Sequence, residues 1–203
     1  MKEKEYDDLL SISTGGNPKE SSNSLHYHRY EPTPYRALED LFSNYQLKSS
    51  DQIVDFGCGK GRLNFFVNDR FNCSVVGVEM NETLTKEATE NRRSYVKKHP
   101  KGKKKIHFQC CLAEEYEIDP LDNVFYFFNP FTIQIFRKII NNILLSVEQS
   151  EREIELVLYY PSEDYIYFLE NHTSFQLNSE IMLAESYKKD PFERFLIYRL
   201  VGL

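Results

Sequence analysis

The stretch Ile53-Val54-Asp55-Phe56-Gly57-Cys58-Gly59-Lys60-Gly61-Arg62-Leu63 runs a short apolar strand into three alternate glycines and then into the start of a helix. Gly57 permits a tight turn, and Gly59 lets the backbone approach a bound ligand with no Cβ in the way. Gly61 lets the following helix sit close to the strand. The stretch therefore reads as a nucleotide-cofactor loop. Its spacing is D-x-G-x-G-x-G, which departs from the G-x-G-x-x-G of dinucleotide-binding loops.

Outward from this loop the chain alternates. Apolar runs near 52–56, 74–79, 105–111, 123–128 and 153–159 predict strands, and helical spacing predicts helices near 62–69, 82–98 and 132–146. Ala37, Leu38, Leu41 and Phe42 mark a helix leading into the first strand, and a short helix follows Pro161. This order implies a mainly parallel sheet with helices on both faces. The runs near 174–183 and 192–201 have no long helix between them, so they pair antiparallel as a C-terminal hairpin.

The chain has 203 residues, 41% of them hydrophobic, which is enough for one well-buried domain, here expected over 25–203. Residues 1–24 are expected to be a mobile N-terminal segment. Met1 to Ser13 could form only a marginal helix, and Thr14 to Ser24 is a polar loop with little to bury. A net charge of -6 argues against binding nucleic acid by global electrostatics. Cys58, Cys73, Cys110 and Cys111 show no C-x-x-C spacing and suggest neither zinc nor a disulfide framework; a reducing cytoplasm fits them. His26 and His28 lack a third ligand, so no metal is expected. No apolar run of transmembrane length occurs, so no membrane partner is expected. Either a monomer or a homodimer suits the composition.

The glycine loop, with an acid at the strand end, resembles the first motif of class I S-adenosylmethionine (SAM) dependent methyltransferases. The resemblance implies a seven-stranded, mainly parallel α/β sheet with a reversed C-terminal hairpin, and SAM as cofactor. It implies that Asp55 holds the cofactor's amino group, that Gly57, Cys58, Gly59 and Gly61 pass beneath its methionine moiety, and that Glu79 accepts hydrogen bonds from both ribose hydroxyls. Glu79 could equally favour the following helix N-terminus through the macrodipole. Met80 follows Glu79 in the cofactor wall. The adenine contact departs from the family pattern: Leu112 stands where an acidic or amide side chain is usual, leaving Leu112, Ala113 or Glu114 as candidates.

The fourth strand ends in Asn129-Pro130-Phe131, which resembles the N-P-P-Y/F motif of amino methyltransferases with one proline missing. By that resemblance Asn129 contacts both cofactor and acceptor, Pro130 stiffens the turn, and Phe131 offers an aromatic face. The alternative is a plain strand-to-helix turn with Phe131 in the core. Tyr30-Glu31-Pro32-Thr33-Pro34-Tyr35 is similar to the P-T-P run of bacterial proteins related to Dot1-type lysine methyltransferases, which makes Tyr30, Thr33 and Tyr35 candidate lid residues over the cofactor; a rigid entry to a helix is the alternative. Tyr159-Tyr160-Pro161 either lines the acceptor pocket or closes the sheet.

The function implied is N-methylation of an amino group on a protein or small molecule. The alternatives are an RNA or DNA methyltransferase, served by the lysine cluster of 97–105 if it shares a face with the pocket, and a catalytically silent SAM-binding partner. An NAD-type dehydrogenase is disfavoured by the glycine spacing and by the lack of a second domain.

Overall fold

A computed structural model describes residues 2–16, 30–183 and 187–201. His26 and His28 lie outside them, as does the polar stretch 17–24. Seven strands, β1 (Gln52–Phe56), β2 (Ser74–Glu79), β3 (Ile106–Cys110), β4 (Val124–Phe128), β5 (Glu155–Tyr159), β6 (Phe175–Met182) and β7 (Arg194–Leu200), form one sheet in the order β3-β2-β1-β4-β5-β7-β6. All neighbouring pairs are parallel except β5 with β7 and β6 with β7. This is the expected seven-stranded architecture with its reversed hairpin.

Six helices cover the sheet: α1 (Glu3–Leu10), α2 (Tyr35–Asn44), α3 (Arg62–Phe71), α4 (Glu82–Lys98), α5 (Ile133–Gln149) and α6 (Glu163–His172). The central strands are buried on both faces, which is why they read as near-continuous apolar runs. Alternate residues feed two cores. Ile53, Val124, Tyr126 and Val157 pack with α1 to α4 on one face, and Val54, Phe125, Phe127 and Leu158 pack with α5 and α6 on the other. Helix α4 starts at Asn81, whose side chain accepts from the Thr83 and Leu84 N–H groups at 2.9 and 3.1 Å. Helix α3 starts at Gly61 and ends at Asn72, both left-handed.

The described N-terminal residues are helical and docked. Asp7 is buried and accepts from the Thr14 N–H (2.6 Å), the Thr14 hydroxyl (2.8 Å) and the Tyr35 hydroxyl (2.6 Å). Buried Arg62 donates to Thr14 Oγ1 (2.7 Å), the Thr33 carbonyl (3.2 Å) and Glu3, and stacks 4.4 Å from the Tyr35 ring centroid. Three donors share one buried carboxylate, so Asp7→Ala is expected to cost about 3 kcal/mol, most of it from leaving the Thr14 N–H and hydroxyl and the Tyr35 hydroxyl unpaired. The measurement is the thermal midpoint, expected to fall by about 6–12 °C for a chain of this size.

Candidate active site

The carboxyl ends of β1, β2 and β4 converge on the glycine turn. Gly57, Gly59 and Gly61 all have positive φ (80°, 54° and 84°). The Gly57 and Cys58 N–H groups donate to the Val78 carbonyl at 2.8 and 3.1 Å, tying the turn to β2. A Cβ at Gly57 would come within 2.9 Å of Pro130, and one at Gly59 within 2.1 Å of the Tyr30 ring. Loop, post-β4 turn and Tyr30 are thus in mutual contact, although 27 and 71 residues of chain separate Gly57 from Tyr30 and from Phe128.

Asp55 lies between Gly77 of β2 and Tyr126 of β4 in register. Asn64 of α3, with its amide oriented by its neighbours, donates to Asp55 Oδ2 at 3.0 Å and accepts from the Gly77 N–H at 3.2 Å. Burial, reinforced by the charge of Glu79, pushes the Asp55 carboxyl up to about 8. Glu79 is also buried; its Oε2 accepts from the Gly59 N–H at 3.0 Å and its Oε1 from the Asn81 N–H at 2.9 Å. Burial raises Glu79 above the ordinary carboxylate range, and these backbone donors oppose the rise. The Glu79 carboxylate therefore reaches the glycine loop itself, beyond the helix-terminus role that was its alternative.

Cys58 turns inward. A Cβ at Gly77 would lie 2.7 Å from its sulfur, so its thiol packs on the sheet and only its backbone belongs to the turn. The loop lysine also leaves the turn: Lys60 Nζ meets Glu87 at 2.9 Å and the Gly15 carbonyl at 3.1 Å. Met80 is half-buried, and its carbonyl accepts from Cys110 Sγ at 3.8 Å. Leu112 is half-buried at the head of a short 3-10 turn, whereas Ala113 is buried in the α5 and α6 core and Glu114 faces Lys138 at 3.7 Å.

Thr33 is buried, with its hydroxyl 2.7 Å from the Tyr126 hydroxyl, and the Tyr30 hydroxyl donates to the Thr14 carbonyl at 2.6 Å. The Pro32–Pro34 strap is therefore fastened over the Asp55 face of the sheet. Asn129 has a left-handed φ of 37° and is half-buried, as is Pro130. Phe131 enters the α5 and α6 core at 2% exposure, and its carbonyl accepts from the Tyr165 hydroxyl at 2.6 Å. Asn129 and Pro130 thus form the half-buried surface of this turn, with Phe131 packed behind them. The residue that sequence reading left outside the site is Asn64, whose role depends on α3 placing an amide over Gly77.

The lysine cluster precedes β3, at the amino-terminal edge of the sheet; Lys105 donates to the Asn72 carbonyl there. It lies at the opposite edge from the glycine turn. Among the described residues no group of three or more His, Cys, Asp or Glu side chains is placed to hold a metal, and no helix is long and apolar enough to cross a membrane.

A methyltransferase-domain family profile matches residues 34–120, the segment that begins at the end of the strap and carries Asp55, the glycine turn, Glu79 and Leu112. Residues 34–120 thus carry a methyltransferase-domain match on a sheet with the class I methyltransferase topology. A protein-lysine N-methyltransferase of Saccharolobus islandicus (strain REY15A) is 33% identical over 63 residues, which is 30% of this chain and 39% of that protein. The fold is shared with an RNA methyltransferase of Salinibacter ruber in complex with S-adenosylhomocysteine, at TM-score 0.56 and 16% identity over 83% of this chain and 92% of that one. It is also shared with a putative RNA methyltransferase of Pyrococcus horikoshii, at TM-score 0.57 and 16% identity over 98% and 97%. The site suits SAM: two buried carboxylates flank a turn of left-handed glycines against which Tyr30 and Pro130 pack.

Proposed function

We propose that this methyltransferase domain transfers the SAM methyl group to an amino nitrogen. The observation that carries the reading is the pairing of Asp55 and Glu79 across the glycine turn, with Asn129 and Pro130 closing its third side. SAM supplies an electrophilic methyl group on a sulfonium. Asp55 would hold its ammonium and Glu79 its ribose hydroxyls, and Tyr30 and Thr33 belong to the strap that would cover it. Asn129 accepts a hydrogen bond from an acceptor N–H and so aims the nitrogen lone pair. Attack of that nitrogen on the methyl carbon would break the carbon–sulfur bond, leave its electron pair on sulfur and release one N–H proton to water, so the chain's own task is to bind and orient the two reactants. No covalent enzyme intermediate is needed, and orientation can supply about 7–11 kcal/mol of the barrier. The partial likeness to a protein-lysine N-methyltransferase supports an amine acceptor.

Incubation of the full chain with methyl-labelled SAM and a protein extract, followed by hydrolysis, tests this. Label is expected in methylated amino groups; label confined to RNA, or SAM binding without any transfer, would overturn the reading. Asn129→Ala is expected to lower kcat about 30- to 100-fold with SAM affinity little changed, the cost of one orienting hydrogen bond of about 2–3 kcal/mol. Changing Lys101, Lys103 and Lys104 to glutamate is expected to leave turnover within about twofold, since solvated charges beyond a Debye length are screened.

A further inference from the structure

A groove of about 290 Å³ lies between α2 and the β6–β7 hairpin, lined by Pro34, Ala37 and Asp40 on one side and Tyr159, Met182 and Glu193 on the other. Its upper end meets the strap, because Pro34 directly follows Thr33. It also meets the carboxyl edge of the sheet, where Tyr159 is the register partner of both Phe128 and Phe195. From there an aromatic wall leads toward Asn129. Phe128 and Tyr159 have ring centroids 4.5 Å apart, and half-exposed Tyr160 packs 5.6 Å from half-exposed Phe192. Since Phe128 and Tyr159 are paired in register, Asn129 and Tyr160 emerge side by side from neighbouring strands, and both have left-handed φ, at 37° and 50°. A bulky residue holds that conformation only where its surroundings fix it. Here the Tyr160 hydroxyl donates to Asp190 Oδ2 at 2.6 Å and the Tyr159 hydroxyl to Glu193 Oε2 at 2.7 Å.

The charges around this mouth are unequal in placement. Asp40 and Glu193 line it, Asp190 sits beside it on the Tyr160 hydroxyl, and Glu31 of the strap lies within electrostatic range of both tyrosines. Of the cations nearby, Arg194 is engaged by Glu180 at 2.8 Å, Lys188 and Lys189 sit on the outer turn, and Arg36 lines the groove. The chain as a whole carries -6. A phosphate backbone is repelled by such a rim, and a basic polypeptide is drawn to it.

We infer that this groove docks a basic stretch of polypeptide, with carboxylates on the rim reading cationic residues beside the target and the aromatic wall guiding one lysine side chain to Asn129. This rests on the amine-acceptor reading above. The division of labour is chemical. Carboxylates next to the reacting nitrogen would hold it as an unreactive ammonium, whereas on the rim they meet only its neighbours. The apolar wall then strips water from the lysine, which favours the neutral, nucleophilic amine.

The test uses the full chain, methyl-labelled SAM and two peptides with a single lysine, one flanked by arginines and one by glutamates, with transfer RNA as competitor. The arginine-flanked peptide is expected to have a KM about tenfold lower. Asp190→Asn with Glu193→Gln should raise that KM about tenfold and leave the SAM dissociation constant and thermal midpoint near those of the parent. Asp190→Lys should shift preference toward the glutamate-flanked peptide, which a merely structural role would not do. Equal KM values for the two peptides, or a variant that slows both alike, would overturn the docking inference while leaving the methyltransferase reading intact. Inhibition by transfer RNA competitive with peptide would overturn it in favour of a polyanion site. No transfer to either peptide despite SAM binding would sink the amine-acceptor reading and this inference with it.

Discussion

Glu79→Ala is expected to weaken SAM binding by two orders of magnitude or more, measured by calorimetric titration. The carboxylate sits at the end of β2 with Oε2 on the Gly59 N–H and Oε1 on the Asn81 N–H. An ionised carboxylate has about four acceptor sites, so these two bonds leave room for two hydroxyl donors. Each hydrogen bond to a charged group contributes about 1.5–3 kcal/mol, and two together correspond to at least about a hundredfold in affinity. Alanine also releases Gly59, which loosens the turn. Glu79→Gln keeps an acceptor for Gly59 and is expected to cost only about tenfold. Unchanged affinity in Glu79→Ala would remove the residue from the cofactor site.

Asp55 makes SAM affinity depend on pH in a direction that can be worked out. With its carboxyl raised to about 8, Asp55 is largely protonated at pH 6. A cofactor ammonium stabilises the charged form, so binding expels a proton and affinity climbs from pH 6 toward 8. Above that, an ordinary α-amino group, which titrates near about 8, loses its own charge and affinity falls. The profile is thus expected to be bell-shaped, with a binding enthalpy below pH 8 that varies with the ionisation heat of the buffer. Asp55→Asn should remove the rising limb and the buffer dependence. The same group acts on folding with the opposite slope. Its folded value lies above its unfolded value of 3.8, so the stability it contributes is complete below about pH 4 and is lost as pH rises through about 8. At pH 9 without cofactor, Asp55→Asn is expected to melt higher than the parent chain. A flat affinity profile in the parent would refute the assignment of Asp55 to the ammonium.

Most of the fold was legible because it is written locally. The buried parallel strands are short apolar runs closed by glycine or polar turns, so β1 and β2 begin and end where their runs do, and α4 is bounded by Asn81 and by Pro100. The site was legible where one residue type has few uses: alternate glycines after an acid, and an acid closing the second strand. What escaped the sequence depends on contacts far apart in the chain. Helix α1 has only two leucines in its last turn, and an acid, Asp7, helps to dock it; Asp7 is buried because Thr14 and Tyr35 bond it, Thr14 being held in turn by Arg62. Phe131 could equally have faced an acceptor or the core. Tyr165, 34 residues on, binds its carbonyl and fixes the turn so that the ring points inward. The lysine cluster reads the same in sequence whichever edge of the sheet it occupies, and only the position of β3 decides that.

The central claim, that this chain binds SAM through the glycine turn, is tested most directly by titrating the purified protein with SAM, S-adenosylhomocysteine and NAD in a calorimeter. Micromolar binding of the first two and none of NAD is the predicted result; binding of NAD alone, or of none of the three, would contradict it.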